Sequence, residues 1–134
     1  MQIKYIVIYF FVACSLFSCK KPSGVGGTST IKGRLKVANW TAGYPGPSTY
    51  LGTSIGEDIS VYIVYGDTGF YNDNVKSNYD GTFQFDYLNK GKYKIFAYSD
   101  DTSLAGKKPV LINTFINKNR SVVDLGDVTI VRTH

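Results

Sequence analysis

A short stretch rich in glycine and serine is the first candidate for chemistry. Residues 52–56 read GTSIG and match the Gly-x-Ser-x-Gly pattern that surrounds the nucleophile of many hydrolases. That chemistry needs a strand-to-helix turn at Ser54 and a histidine that acts as its base. The single histidine, His134, is the last residue, and no helical pattern follows Ser54. We therefore expect a coincidental match and a protein that is not an enzyme.

Metal chemistry has few candidate ligands in this sequence. A tetrahedral zinc site needs several thiolate or imidazole ligands, and one histidine cannot supply them, since we expect neither Cys14 nor Cys19 to remain as a free thiol. Acidic and amide side chains cluster at residues 67–74 and 100–101, but without the ligand spacing of a known calcium loop. Asn and Asp are common in turns because they tolerate a left-handed backbone. We expect turns at these positions, and no metal or other cofactor.

The N-terminus has the pattern of a bacterial lipoprotein signal peptide. A short positive stretch precedes an uncharged apolar run at residues 5–17, which is too short to cross a bilayer as a helix. Residues 16–19 read LFSC and resemble a lipobox, in which the cysteine is acylated and becomes the new N-terminus. We expect residues 1–18 to be removed and Cys19 to anchor the protein, since several acyl chains give stable anchoring. The alternative is an ordinary secretory peptide or a membrane anchor.

The rest of the chain has the length of one domain. Residues 19–28 are rich in Gly, Ser and Thr and predict a flexible tether behind the lipidated cysteine, and residues 29–132 predict the domain itself. The net charge of +5 is spread along the chain, so we expect no nucleic-acid partner. Lys20 and Lys21 stand beside the anchor, where they suit anionic lipid head groups.

Alternation of apolar and polar residues runs through the domain and predicts strands with one buried face. The predicted strands cover residues 30–37, 58–66, 70–78, 82–87, 92–98, 110–117 and 121–131. No segment has a helical period, so the pattern predicts an all-β, seven-stranded antiparallel Greek-key β-sandwich. We further expect an Asp80-Gly81 hairpin turn, a bulge near Gly126, and a long loop at residues 39–58.

The same alternation assigns most aromatic residues to the interior. Phe83, Phe85 and Tyr87 fall on one face of a strand, which we expect to be the buried one. In the next strand Tyr93, together with Ile95 and Ala97, takes the inward face. These rings therefore predict a core rather than a site.

The outward positions of two strands predict a second aromatic group. Tyr62, Val64, Phe96 and Tyr98 should form one patch on the outer face of a sheet, and an exposed apolar patch usually marks an interaction site. The long loop carries three more rings, Trp40, Tyr44 and Tyr50. Either the loop folds over the patch as a lid, the interpretation we prefer, or all these rings are open to bind a ligand.

Several of these segments are similar to the transthyretin-like, or prealbumin-like, domains, which include the carboxypeptidase regulatory-like modules. The matching residues are Gly33, Asp80, Gly81, Phe83, Phe85, Leu88, Gly91, Tyr93 and Ile95. The resemblance implies a β-sandwich in a lipoprotein of the Bacteroidota type, a class often found near outer-membrane nutrient-uptake systems. Relatives that hydrolyse 5-hydroxyisourate use several histidines, and that catalytic set has no counterpart here.

Together these observations predict a tethered envelope protein without catalytic activity. The leading hypothesis is a binding or accessory module that contacts a protein or a glycan. The alternative is a structural component or assembly subunit whose edge strands pair with another protein. The sequence after Cys19 lacks acidic residues over positions 20–24, which favours the outer membrane with the domain facing the periplasm.

Overall fold

The computed structural model describes residues 21–42, 46–103 and 106–134. Their eight strands are β1 (Val25–Trp40), β2 (Tyr50–Ile55), β3 (Ser60–Tyr65), β4 (Asp73–Lys76), β5 (Thr82–Leu88), β6 (Gly91–Asp100), β7 (Lys107–Ile116) and β8 (Val122–Thr133). They form two four-stranded sheets around one core, which confirms the predicted β-sandwich. Among these residues no helix has the length and apolar character needed to cross a bilayer. Cys19 and the predicted signal peptide lie outside the described residues.

Strand β1 is the centre of the first sheet, sheet A. Along one edge it pairs with β8 in parallel, from Thr30 to Trp40. Its other edge is divided between two antiparallel partners, β5 as far as Arg34 and β2 from Lys36 onward. The parallel pair is one departure from the predicted all-antiparallel arrangement. The first strand also starts at Val25, four positions before the expected beginning of the domain at Ser29.

Strand β2 lies inside the segment 39–58, for which the sequence predicts one long loop. The physical reason is the length of β1, because its last residues extend beyond β5 and leave backbone groups free on that edge. Residues Tyr50–Ile55 satisfy those groups by pairing with Lys36–Trp40. The described residues therefore form eight strands where seven were predicted.

The second sheet, sheet B, has the strand order β4-β3-β6-β7 and is antiparallel throughout. The chain changes sheet after β2, β4, β5 and β7. Consequently the Asp80-Gly81 turn joins β4 of sheet B to β5 of sheet A, and the predicted hairpin is wrong. The turn itself forms, because Gly81 takes a φ of +81° and the Asp80 carboxylate accepts hydrogen bonds from the Thr82 hydroxyl (2.6 Å) and N–H (3.0 Å). These bonds hold the pKa of Asp80 below its usual value.

The core consists of the inward-facing side chains of both sheets. Its buried members are Ile31, Leu35, Val37, Val61, Ile63, Phe83, Phe85, Leu88, Tyr93, Ile95, Ala97, Ile116, Val128 and Ile130. The predicted inward face of β6 is thus confirmed, as are the inward positions of Phe83 and Phe85 in β5. Tyr87 is the exception, since it is 74% exposed where the alternation predicts burial. Its φ of +58° breaks the period of two, so that the next residue, Leu88, turns inward in its place.

The bulge predicted near Gly126 is confirmed. The register between β1 and β8 shifts there, because Lys32 pairs with Asp124 while Arg34 pairs with Asp127. Gly126 has a φ of +69°, and its N–H donates to the Asp124 carboxylate at 2.8 Å. Because of this extra residue, the apolar side chains in the second half of β8 point into the core.

Candidate binding surface

The outer face of sheet B carries a row of side chains from neighbouring strands. Tyr62 in β3 pairs with Asn74 in β4 on one side and with Phe96 in β6 on the other, and Phe96 pairs in turn with Leu111 in β7. Directly paired residues of a sheet point to the same face. The row therefore crosses the whole sheet on the side away from the core.

Four rings meet on this row and form what we call the outer aromatic cluster: Tyr62, Tyr71, Phe96 and Tyr98. Tyr62 and Phe96 are stacked, with ring centroids 5.0 Å apart and planes 14° apart. The ring of Tyr98 packs edge-on against Tyr62 and Phe96, with centroid distances of 5.7 and 5.6 Å. The ring of Tyr71 packs edge-on against Tyr62, with a centroid distance of 4.9 Å. The predicted grouping of Tyr62, Phe96 and Tyr98 on one outer face is therefore observed.

Tyr71 is the member that sequence reasoning missed. The sequence predicts a strand over residues 70–78, but β4 begins only at Asp73, so Tyr71 lies in the loop between β3 and β4. Asn72 fixes this loop to β3, since its N–H donates to the carbonyl of Ile63 (2.8 Å) and its side-chain oxygen accepts from the N–H of Tyr65 (2.8 Å). The neighbouring ring is thereby held against Tyr62. An Asn shortly after a strand is the sequence signal that could have indicated a loop fixed in this way.

The cluster is partly open to solvent. Tyr71 is 55% and Tyr98 48% exposed, whereas Tyr62 and Phe96 between them are half-buried. Val64, which was predicted to extend the patch, is only 6% exposed, so that part of the prediction is wrong. The loop after β3 returns along the strand at this point, and its Asp67 forms an ion pair with Lys94 (3.4 Å), the residue opposite Val64.

The phenol groups of the cluster differ in their hydrogen bonding from the phenol of the core tyrosine. Within the described residues, the hydroxyls of Tyr62, Tyr71 and Tyr98 make no hydrogen bond, so their donors and acceptors are free for water or a ligand. The core tyrosine Tyr93 is the contrasting case, because its hydroxyl donates to the carbonyl of Asn89 at 2.7 Å. Burial raises the pKa of Tyr93, as expected for a phenol held in the interior.

A groove of about 310 Å³ adjoins the cluster and is lined partly by Tyr62 and Tyr98. Its polar lining consists of Asp58, Ser60, Asp100, Lys107 and Arg132. Asp100 accepts from the N–H of Thr133 (3.0 Å), and Asp58 pairs with Lys76 (2.8 Å). In the part of the chain that the structure describes, Lys107 and Arg132 have no ion-pair partner. Charged groups of both signs thus stand next to the aromatic surface.

Two of the other predicted binding residues form a separate pair. Trp40 and Tyr50 lie at the end of sheet A, where β1 and β2 pair, with ring centroids 5.3 Å apart. Neither ring contacts Tyr62 or Phe96 among the described residues, so the lid hypothesis has no support from Trp40 or Tyr50. Tyr44 lies outside the described residues. Within the cluster itself, Tyr71 is the ring from a loop that packs against Tyr62.

The Ser54 motif has a different environment from the one its pattern suggests. Ser54 lies in β2 and not at a strand-to-helix turn, and its hydroxyl accepts from the side-chain amide of Asn39 at 3.1 Å. The Asn39 amide oxygen contacts the His134 ring at 3.1 Å. The structure therefore brings serine and histidine closer than their positions in the sequence suggested, but with Asn39 between them. Over residues 21–42, 46–103 and 106–134, no three metal-ligating side chains form a group.

Comparison with known proteins identifies no family for this chain. No family model and no curated protein matches its sequence. Among solved structures it is similar to the crystal structure of a proposed carbohydrate binding protein from Pseudomonas aeruginosa, with 13% identity, 82% of this chain and 92% of that chain covered, and a TM-score of 0.47. Similarity at this level does not establish a shared activity. The transthyretin-like resemblance stays a prediction.

Proposed function

We propose that this protein is a non-enzymatic binding module of the bacterial envelope that binds glycans at the outer aromatic cluster. The observation that carries the proposal is the cluster itself, with three phenol hydroxyls that bond to no other described residue and two half-exposed rings on one face of a sheet. Soluble domains seldom leave such a group open without a use, and Tyr is favoured at binding sites because it joins apolar area to a polar end.

The chemistry of the surface suits a sugar chain. A pyranose ring has apolar C–H faces and a polar rim of hydroxyls, so it needs aromatic carbon beside hydrogen-bonding groups. The cluster supplies the first, and the groove beside it supplies carboxylates and cations that can accept from and donate to hydroxyls. Because the groove holds charges of both signs, a neutral or zwitterionic glycan fits it better than a polyanion.

The placement of the module in the envelope rests on the N-terminal sequence. Acylation of Cys19 would hold the domain at a membrane through a short tether, in the outer membrane and facing the periplasm. The nutrient-uptake role implied by the transthyretin-like resemblance is consistent with a glycan ligand. In this proposal the domain retains a glycan near its membrane and performs no chemistry on it.

The anchor can be tested by replacing its one essential atom. We expect Cys19→Ala to prevent acylation and to move the protein out of the membrane fraction, because the sulfur is the attachment point. Mass spectrometry of the wild-type N-terminus should show residue 19 as the first residue, with acyl chains attached. Cys14→Ala is the matched control and should leave both results unchanged. A free thiol at Cys19 in membrane-extracted protein would contradict the proposal.

The binding surface can be tested by truncating its most exposed ring in β6. We expect Tyr98→Ala to weaken binding to immobilised polysaccharides at least tenfold, about 1.4 kcal/mol, since tyrosine is among the residues that most often dominate a binding interface. Affinity electrophoresis in gels containing starch, xylan or β-glucan measures this loss. Tyr98→Phe keeps the ring and should weaken binding less than Tyr98→Ala. The difference between the two variants separates the contribution of stacking from that of the hydroxyl's hydrogen bond.

Tyr79→Ala is the control for that experiment, because Tyr79 is highly exposed in the turn between β4 and β5 and lies outside the cluster. It should bind like the wild type. Circular dichroism should show that every variant is folded. Equal losses in the Tyr79 and Tyr98 variants, or wild-type protein that is retarded by none of the three polysaccharides, would count against the proposed function.

A further inference from the structure

Strand β7 forms an open edge of sheet B. It pairs with β6 along all ten of its residues, and no described strand pairs with its other side. Such an edge presents unpaired N–H and C=O groups, which native proteins protect with charges, proline or bulges. In β7 these protective residues, Lys107, Lys108 and Pro109, all stand at the beginning. Residues 110–116, which read VLINTFI, contain no charge and no proline.

The other sheet edges are interrupted. Strand β4 is four residues long and carries Asp73 and Lys76. Strand β8 has its bulge at Gly126, with acidic residues on both sides. Strand β2 contains Gly52 at a φ of +123°, and the last residues of β5 include Tyr87 in the left-handed region. Among the described strands, β7 therefore offers the longest regular edge for pairing.

The uncharged part of β7 is complementary to itself. If two copies pair in antiparallel orientation with Asn113 opposite the partner's Asn113, then Leu111 lies opposite the partner's Phe115. Both of these outward side chains are half exposed in the single chain, at 51% and 50%. On the inward face, Val110 then meets the partner's Ile116. The seven paired positions bring no two charges together, while Lys107 and Lys108 fall outside them.

We propose that two copies of this chain associate through β7, with a twofold axis at Asn113. The contact is isologous, so one segment supplies both halves of the interface and the pairing cannot continue into a fibre. The contact gives hydrogen-bond partners to the unpaired N–H and C=O groups of β7. It also covers the two exposed apolar side chains, Leu111 and Phe115. Because Asn113 faces its own copy on the outer side, both outer aromatic clusters lie on the same face of one continuous sheet. If the proposed glycan binding holds, such a dimer is bivalent.

Cross-linking in intact membranes tests the register directly. Residues opposite each other in a sheet have Cβ atoms about 4.5–5.5 Å apart, within reach of a disulfide after a small adjustment. We expect Asn113→Cys in the full chain to form a dimer under mild oxidation, with a disulfide between the two introduced thiols identified by peptide mass spectrometry. Asn119→Cys is the control, because it is also exposed and lies in the turn beyond Ile116, which in this register is already about 20 Å from its own copy. A cross-link as strong at position 119 as at 113, or none at 113, would overturn the proposed register.

The charge variant Asn113→Lys tests association without a cross-link. It places like charges opposite each other at an exposed position, so the fold should persist while the dimer is lost. Sedimentation of the detergent-solubilised full chain should give the mass of two copies for wild type and for Asn119→Lys, and of one copy for Asn113→Lys. A wild-type protein that stays monomeric, or an Asn113→Lys variant that stays dimeric, would overturn the proposal. Glycan binding by the monomeric variant is measured separately, so failure of this inference is distinguishable from failure of the proposed function.

Discussion

Phe85→Ala is expected to lower the free energy of unfolding by about 3–5 kcal/mol, the usual cost of truncating a large aromatic side chain in a packed core. Phe85 is buried in β5 opposite Ile31 of β1. Its ring packs edge-on against that of Phe83, with the ring centroids 6.4 Å apart. The loss combines the transfer of aromatic carbon with a cavity that neighbouring strands cannot close. Urea denaturation followed by circular dichroism measures it.

Tyr87→Ala is the matched control for this prediction. It removes an aromatic ring two positions along the same strand, but one that is exposed, so its effect should stay within about 0.5 kcal/mol. A domain of this size is stable by about 5–15 kcal/mol, so the Phe85 variant alone can bring it close to unfolding. A loss below about 1 kcal/mol for Phe85→Ala would mean that the inward face of β5 is assigned wrongly.

Tyr93→Phe should lower the free energy of unfolding by about 1–3 kcal/mol, because it leaves buried groups without a hydrogen-bond partner. The Tyr93 hydroxyl accepts from the N–H of Gly24 (2.9 Å) and donates to the carbonyl of Asn89 (2.7 Å). It therefore connects the start of β1 to the turn between β5 and β6. The same variant should speed hydrogen exchange at Gly24 and Val25, which mass spectrometry of the N-terminal peptide detects.

Tyr65→Phe is the control for the hydroxyl. Tyr65 contacts the Tyr93 ring at 5.9 Å, but its own hydroxyl makes no hydrogen bond within the described residues. Removing that oxygen should change stability little and leave the exchange at Gly24 unaltered. If the Tyr93 and Tyr65 variants behave alike, the Tyr93 hydroxyl does not fix the residues before Ser29 to the domain.

Much of the fold follows from the alternation of side chains. A period of two assigns Phe83, Phe85 and Tyr93 to the core and Tyr62 and Phe96 to the outside, and each of these positions is confirmed. Alternation alone determines which face of such a strand is buried, because a shift of one residue would expose all of its apolar side chains to water. The bulge at Gly126 was predictable for the same reason, since the apolar residues of β8 change from odd to even positions there.

The features that the pattern missed depend on backbone conformation or on a partner strand. Tyr87 has the side chain of a core residue, but its left-handed backbone turns it outward. Strand β2 exists because β1 is longer than β5, and no feature of residues 50–55 alone reveals that free edge. Tyr71 joins the cluster through hydrogen bonds of Asn72 to β3, contacts that no periodicity encodes.

The proposed function depends on the binding of a glycan by the outer aromatic cluster of sheet B. The most direct measurement is a two-dimensional NMR titration of the 15N-labelled protein with soluble oligosaccharides, namely maltohexaose, xylohexaose and a β-glucan hexasaccharide. For a sugar that binds, we expect the largest shift changes at Tyr71 and along residues 60–63 and 95–99, with Trp40 and Tyr50 unaffected. Shift changes confined to Trp40 and Tyr50, or none with any of the three sugars, would contradict the proposed function.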